Sequence, residues 1–161
     1  MHTDFVSKLK ASVDITDLIS EFSDTIWPEM LKTKVEPDAN SPLQVQFVYY
    51  LKHGDRIADT LEQMPKTKNL VESFTTKYGF NTVVYRCIFP NTCYEWHTDY
   101  GELCMHIPLL TNKGCRFVYE DRCFKMPGDG AVYIVNNGKP HTFMNAGSDY
   151  RTHLILENNK I

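Results

Sequence analysis

The sequence lacks the features that mark several large classes of protein. No run approaches the roughly 18 apolar residues that a membrane helix requires, and no apolar signal-peptide region follows the charged residues Asp4 and Lys8. Positive charge is scarce, because 17 Lys and Arg face 20 Asp and Glu, with a net charge of −3 and no basic stripe. Since nucleic-acid backbones attract positive surfaces, we expect a cytoplasmic protein that binds neither nucleic acid nor a membrane.

Paired cysteines are missing as well. The five cysteines are an odd number, none forms a C-x-x-C pair, and their spacing is unlike that of a zinc ribbon: Cys87, Cys93, Cys104, Cys115 and Cys123. This usage is typical of reduced thiols rather than of a disulfide framework or a structural zinc site. Internal repeats and low-complexity segments are also absent from the sequence.

The composition that remains is that of an ordinary globular chain: 161 residues, of which 42% are hydrophobic and 23% charged. A domain commonly spans about 100–200 residues, and a chain of this length can bury a core without metal or disulfide staples. We predict one domain over residues 1–161. Within it, residues 1–80 form a helical buttress and a first strand, and residues 81–161 form a β core.

Helical spacing dominates the first eighty residues. Apolar side chains recur at intervals near three and four from Phe5 to Ile26, which predicts helices there. Asp14 or Thr16 is suited to cap the second helix, and Pro28 to end it. Turn chemistry predicts a loop over residues 36–42, residues 43–51 form a strand, and residues 57–77 form a helix that breaks or kinks at Pro65.

From residue 81 onward, short β-type runs alternate with turns rich in Gly, Pro and Asn. The runs lie at 82–89, 94–100, 103–110, 114–120, 130–136, 141–146 and 150–157. Short strands separated by turns at such regular intervals are typical of a closed or double-sheet β architecture. The predicted fold class is therefore mainly β: a double-stranded β-helix of the jelly-roll or cupin kind, with N-terminal buttressing helices.

Side chains alternate between the two faces of each predicted strand. One face of the run 103–110 is uniformly apolar, which suits packing beneath helices, whereas the opposite face carries His106. His141 and Asn145 share one face of their strand, and Arg151 lies on the inner face of the last. Polar groups on an inner face suit a barrel that holds a ligand. A buried arginine there needs an anionic partner.

His97 and Asp99 lie two residues apart in a β-type run, so both side chains project from one face. His141 follows 44 residues after His97, on another strand. Two imidazoles and a carboxylate at such spacing can form the 2-His-1-carboxylate triad, which binds non-haem Fe(II) and leaves positions open for co-substrate and oxygen. Arg151, ten residues after His141, is suited to bind a carboxylate in the same cavity.

Five short motifs surround these residues, across about half of the chain. They are F-P-N-T at 89–92, H-T-D at 97–99, H-I-P-L at 106–109, G-D-G-A-V-Y at 128–133 and H-x-x-x-N-x-x-x-x-x-R-x-H-L at 141–154. In this combination the chain resembles the Fe(II)/2-oxoglutarate-dependent dioxygenases. Within them it is similar to the aspartyl/asparaginyl β-hydroxylase-like group, which includes bacterial free-proline hydroxylases.

The resemblance implies that His97, Asp99 and His141 bind Fe(II) as the catalytic metal ligands. It also implies that Arg151 pairs with the distal carboxylate of 2-oxoglutarate and that His106 lines the co-substrate pocket. The implied reaction is hydroxylation with Fe(II), 2-oxoglutarate and O2, releasing succinate and CO2.

The chain departs from the family pattern at Cys104. Relatives usually carry arginine two residues before the histidine of H-I-P-L, so one expected contact to the co-substrate is missing here. Mammalian members of the group lack the carboxylate ligand, whereas Asp99 is present in this chain. Its metal site therefore looks more like that of the free-amino-acid hydroxylases.

Several further residues are candidates for the site. Arg86, Tyr94 and Trp96 lie near the predicted mouth and are candidate substrate contacts, although aromatic residues in strands commonly serve packing. Asn145 is either a hydrogen-bond partner of a metal ligand or part of the turn that follows it.

Structural alternatives remain open for the interior charged residues. His106 is either a co-substrate contact or an interior histidine with satisfied hydrogen bonds, and His153 is assigned a structural hydrogen bond. Arg151 can also form an ordinary salt bridge with Asp149 or Glu157.

The first functional hypothesis is hydroxylation of an amino-acid side chain, either peptidyl Asp or Asn or a free amino acid such as proline. The alternative is a non-catalytic, cupin-like metal- or ligand-binding domain, which would not need Arg151. Little sequence remains for a separate substrate-binding domain, so the expected partner is a small-molecule amino acid or a short peptide segment. The oligomeric state is left open by the sequence.

Overall fold

The structure is a computed structural model that describes residues 4–27, 32–35, 46–99 and 103–158. The predicted loop at 36–42, the start of the strand predicted at 43–51, and Pro28 lie outside these residues. Among the described residues, no helix has the length and apolar character needed to cross a membrane.

The described strands form two antiparallel sheets, as a jelly roll requires. The larger sheet has eight strands: β1 (Val6–Ser12), β2 (Lys32–Val35), β3 (Gln46–His53), β4 (Arg56–Ile57), β5 (Thr82–Ile88), β7 (Leu103–Leu110), β10 (Ala131–Asn136) and β12 (Arg151–Glu157). The smaller sheet has four: β6 (Thr92–Cys93), β8 (Cys115–Tyr119), β9 (Arg122–Phe124) and β11 (His141–Asn145). The strand orders are β1-β10-β7-β12-β5-β3-β2, with β4 beside β3, and β6-β11-β8-β9.

In the part of the chain that the structure describes, two α-helices and a short 3-10 helix cover the outer face of the larger sheet, as the sequence predicts. Helix α1 spans Ile15–Asp24, and the Asp14 side chain caps it by accepting a hydrogen bond from the Thr16 amide at 3.0 Å. The 3-10 helix (Asp59–Gln63) ends just before Pro65, which starts α2 (Pro65–Tyr78). The predicted break at Pro65 is confirmed, because proline fits the first turn of a helix but not its interior.

The larger sheet therefore has two differently used faces. Its outer face packs Met105, Ile107 and Leu154 against helical side chains such as Leu18 and Val71, in one apolar core. Its inner face meets the smaller sheet in a second core, which contains three apolar residues of the larger sheet and three aromatic residues of the smaller: Val84, Ile88, Ile155, Phe117, Tyr119 and Phe143. The uniform apolar face predicted for residues 103–110 is the one that packs beneath the helices.

Two local predictions were wrong. The segment that follows Phe5 is strand β1 rather than a helix, because it pairs antiparallel with β10, with Lys8 opposite Tyr133. Residues 94–99 do not form a regular strand, because only His97 makes a β-bridge, to His141. The first eighty residues thus contribute four strands as well as the helices.

Candidate active site

The three predicted metal ligands lie together at one end of the space between the sheets. A pair of backbone hydrogen bonds holds His97 to His141: each residue's amide donates to the other's carbonyl, at 3.0 and 2.9 Å. The Asp99 carboxylate lies 3.6 Å from Nε2 of His97 and 3.8 Å from Nε2 of His141. The three candidate ligand atoms fall within 4.8 Å of one another. This is a compact arrangement of two imidazoles and one carboxylate.

Both imidazoles are oriented by backbone carbonyls. Nδ1 of His97 lies 2.9 Å from the Glu95 carbonyl, and Nδ1 of His141 lies 2.9 Å from the Lys139 carbonyl. A carbonyl only accepts, so each Nδ1 carries the proton and each Nε2 keeps a lone pair directed at the shared point. Burial lowers the pKa of His141, which favours the neutral form that can bind a metal.

Asn137 is a residue that the sequence analysis missed. Its side-chain Nδ2 donates to Oδ2 of Asp99 at 2.7 Å, and its backbone carbonyl accepts from the Asp99 amide at 2.9 Å. Asn137 is buried, whereas the Asp99 side chain is 42% exposed. The amide therefore fixes a carboxylate that would otherwise rotate freely. In the sequence, Asn137-Gly138 has only the appearance of a turn.

The triad opens onto a small cavity between the two sheets. Seven of the predicted site residues line it: Arg86, Tyr94, His97, Asp99, His106, His141 and Arg151. Asn137 and Glu157 are further polar members of the wall, and its apolar members are Ile88, Phe117, Phe143 and Ile155. A concave site with converging polar groups is the usual form of a small-molecule site.

Arg151 is buried in this cavity, and none of the carboxylates that the structure describes pairs with it. Its side chain is 1% exposed, and its guanidinium carbon lies 4.1 Å from the centre of the Phe143 ring. Within the described residues it pairs with neither Asp149 nor Glu157, and its Nε has no hydrogen-bond partner. Burial lowers the pKa of Arg151 to about 9. A buried cation of this kind calls for an anionic ligand.

The family model described as aspartyl/asparaginyl β-hydroxylase matches residues 29–160, which is most of the chain. The chain belongs to this family. As a family hydroxylase it is an enzyme that uses Fe(II), 2-oxoglutarate and O2, and the described residues contain a donor set suited to that iron. The alternative of a non-catalytic cupin-like domain is thereby disfavoured.

Solved structures similar to the hydroxylase confirm the jelly-roll fold. An oxidoreductase of the 2OG-Fe(II) oxygenase family from Burkholderia pseudomallei has a TM-score of 0.67 at 14% identity, over 94% of this chain and 84% of that chain. A Pseudomonas putida prolyl-4-hydroxylase has a TM-score of 0.57 at 14% identity, over 99% and 95%. The viral collagen prolyl hydroxylase from Paramecium Bursaria Chlorella virus-1 has a TM-score of 0.58 at 14% identity, over 96% and 95%. No curated protein sequence matches the hydroxylase.

The three residues predicted to contact substrate are placed differently from one another. Arg86 lines the cavity of the hydroxylase, with Nη2 3.6 Å from Oε1 of Glu157 and a buried Nε that has no hydrogen-bond partner among the described residues. Tyr94 also lines it and donates its hydroxyl hydrogen to the Gln46 side chain, and burial raises the Tyr94 pKa to about 12. Trp96 is 55% exposed and is not part of the cavity wall.

Asn145 does not contact the triad. Its Nδ2 donates to the carbonyls of Phe89 at 3.0 Å and Asp149 at 2.9 Å, and its Oδ1 accepts from Nδ2 of Asn112 at 3.0 Å. Oδ1 also accepts from the Gly147 amide at 3.2 Å. Of the two roles left open by the sequence, the hydroxylase shows the turn-shaping one, because these partners are loops at the far end of β11.

Cys104 occupies the position where relatives of the hydroxylase carry arginine. Its thiol is buried at 3.1 Å from Nε2 of His106, and burial raises the pKa of the thiol well above its ordinary value. The second arginine of the cavity is instead Arg86, which comes from β5. The structure thus retains two cationic side chains in the cavity despite the substitution at position 104.

Proposed function

We propose that this hydroxylase acts on the side chain of a free amino acid such as proline, or of a residue in a short peptide segment, and releases succinate and CO2. In this proposal His97, Asp99 and His141 bind Fe(II), and Arg151 binds the distal carboxylate of 2-oxoglutarate. His106 lines the co-substrate pocket, and Arg86 and Tyr94 contact the substrate.

One observation carries the proposal: the triad and the unpaired Arg151 line the same cavity. A 2-His-1-carboxylate set leaves three coordination positions of an octahedral ion free, which is enough for a chelating oxo-acid and oxygen. Arg151 supplies a charge-assisted, geometrically defined contact for a carboxylate. A metal-binding domain without turnover would have no use for a buried arginine whose counter-charge must come from a ligand.

Different residues bind the metal, bind the co-substrate and exclude water. When bound, Fe(II) and 2-oxoglutarate supply the oxidising chemistry, with 2-oxoglutarate converted to succinate and CO2. His97 and His141 keep their Nε2 lone pairs on the metal side because their Nδ1 protons are held by backbone carbonyls. Arg151 fixes the co-substrate's far end. Phe117 and Phe143 exclude water from the reacting groups.

The mouth of the cavity is the proposed substrate subsite. Arg86 and Glu157 place a cation and an anion there at 3.6 Å, and Tyr94 adds a hydroxyl group. These groups complement the charged ends or polar amides of an amino acid or a peptide backbone. The small volume of the cavity favours one residue rather than a folded protein surface.

The first test measures succinate formed by purified protein with Fe(II), ascorbate and 2-oxoglutarate, first alone and then with free amino acids and short peptides. The panel includes proline because two structural neighbours are named prolyl hydroxylases. We expect one class of compound to stimulate succinate formation, with a hydroxylated product of one added oxygen in its mass spectrum.

Matched variants make the test specific. His97→Ala should reduce substrate-dependent succinate to background, whereas His53→Ala, the same change at an exposed histidine of β3, should retain activity. Arg151→Ala should raise the 2-oxoglutarate concentration needed for half-maximal rate. Succinate formation that is the same in His97→Ala as in the native protein would overturn the proposal.

A further inference from the structure

Behind the predicted co-substrate pocket, four buried side chains form a continuous hydrogen-bonded chain. Nη2 of Arg151 lies 2.5 Å from Nδ1 of His153, which lies 3.1 Å from Nδ1 of His106. Nε2 of His106 lies 3.1 Å from the thiol of Cys104. All four residues are at most 5% exposed. The sequence alone assigned His153 no more than a structural hydrogen bond.

The chemistry of the groups determines where the protons lie. An arginine nitrogen only donates, so Nδ1 of His153 must accept and its ring proton lies on Nε2. The same Nη2 group also lies 3.4 Å from Nδ1 of His106, so Arg151 meets the Nδ1 atoms of both rings. His106 in turn contacts the thiol of Cys104 through Nε2. The shorter contact of Arg151, at 2.5 Å, therefore fixes the tautomer of His153.

No member of the chain other than Arg151 carries charge. Burial, followed by the charge of Arg151, lowers the pKa of both His106 and His153 well below the ordinary value. Burial likewise keeps the thiol of Cys104 protonated. An arginine at position 104 would bring a further positive charge towards this cluster, whereas the buried thiol of Cys104 adds none.

We propose that His153 is a positioning residue for Arg151, with Nδ1 as the atom that accepts from the guanidinium. The inference rests on the proposed function, because it takes Arg151 as the partner of the co-substrate carboxylate. His153 occupies one amino group of the guanidinium, and Phe143 supports its flat face at 4.1 Å. Nε, which has no partner among the described residues, remains for the anion.

The tautomers can be measured without any ligand. Two-bond 1H–15N spectra of the metal-free protein labelled at histidine report on both His106 and His153, and His153 should show its proton on Nε2. Both rings should stay neutral from about pH 8 to about pH 6, across the ordinary histidine pKa. A proton on Nδ1 of His153, or a charged ring at either position, would contradict the proposed chain.

Two replacements of His153 separate positioning from packing. His153→Asn places an acceptor oxygen where Nδ1 lies, and His153→Leu keeps the bulk but has no acceptor. The measurement is the 2-oxoglutarate Kd of Mn(II)-loaded protein by calorimetry, a state without turnover. We expect the Leu variant to raise the Kd about tenfold, which is the usual effect on affinity of losing a hydrogen bond to a charged group. The Asn variant should restore most of the affinity.

The kinetic pattern gives a second readout. In His153→Leu the KM for 2-oxoglutarate should rise while kcat at saturating co-substrate and the Kd for Mn(II) stay close to the native values. Equal losses in the Leu and Asn variants, or an unchanged Kd in the Leu variant while Arg151→Ala weakens binding, would overturn the positioning role alone. An unchanged Kd in Arg151→Ala would instead overturn the assignment of the co-substrate to Arg151.

Discussion

At the scale of single residues, the Asp99 carboxylate depends on a neighbour that is distant in sequence. Asn137 contacts both the side chain and the backbone of Asp99, at 2.7 and 2.9 Å. Hydrogen bonds to a metal ligand orient it, and losing them commonly costs about 10–100-fold in metal affinity. We therefore expect Asn137→Ala to weaken Mn(II) binding by roughly this factor, measured by equilibrium dialysis of the metal-free protein.

Asn145→Ala is the matched control for that prediction. Asn145 is also a buried asparagine, but its partners are loop groups rather than a metal ligand. Its removal should lower the free energy of unfolding by roughly 2–4 kcal/mol, since several buried hydrogen bonds are lost at about 1 kcal/mol each. Mn(II) affinity should be retained in the folded protein. Native Mn(II) binding by Asn137→Ala would show that Asp99 is held without its help.

The site residues that the sequence could predict are those whose chemistry is local. The spacing of His97 and Asp99, and the arginine ten residues after His141, are visible in the sequence, and the structure places these side chains around one cavity. Asn137 was not predictable, because its contact to Asp99 spans 38 residues of sequence. Trp96, a candidate substrate contact because of its place near His97 in the sequence, is 55% exposed and does not line the cavity.

At the scale of elements, the carboxylate of Glu21 connects the two α-helices through hydrogen bonds to backbone amides. The side chain of Glu21 in α1 accepts hydrogen bonds from the Lys66 and Thr67 amides at 2.8 Å each. These amides belong to the first turn of α2, which has no side-chain cap of its own. Glu21→Ala should lower the free energy of unfolding by roughly 1–3 kcal/mol in urea titrations.

Asp17→Ala tests whether this loss comes from capping or from charge alone. Asp17 also lies in α1 and also meets Lys66, but through the exposed ammonium group at 3.7 Å. Exposed pairs of this kind contribute little, so we expect a change within about 0.5 kcal/mol. Equal destabilisation by the two variants would count against the capping role of Glu21.

Strand β1 shows why one element was assigned to the wrong class. Leu9 and Val13, four residues apart, would share a face in a helix, but an even spacing also places two side chains on one face of a strand. Both pack against the outer core, whereas Phe5 packs against the inner one. Local spacing therefore does not separate the two structures. The deciding contact is the pairing with β10, more than one hundred residues later in the chain. Helix α2 was predictable because Pro65 marks its start locally.

At the scale of the whole molecule, the two cores have different tasks. The core between the helices and the larger sheet consists mainly of aliphatic and aromatic side chains, whose burial stabilises the fold. The space between the sheets also contains the polar groups of the site, including three buried histidines: His106, His141 and His153. Stability should therefore depend on pH through the inner layer, since its histidines are buried in the neutral form.

The dependence on pH has a definite sign. The pKa values of His106 and His153 are lowered by burial, so below about pH 6.5 the unfolded chain binds protons that the folded protein excludes. The free energy of unfolding should be unaffected by these groups above that pH and fall on acidification, by about 1.4 kcal/mol per pH unit for each such histidine. Urea titrations of the metal-free protein between about pH 7.5 and 5.5 measure this slope.

His153→Asn should reduce the slope of the unfolding free energy by about 1.4 kcal/mol per pH unit, because one titrating group is removed. His53→Asn, the same change on an exposed ring, should preserve the slope. A native slope in His153→Asn would mean that His153 gains its proton in the folded protein as readily as in the unfolded chain, and the neutral hydrogen-bonded chain behind Arg151 would then be wrong.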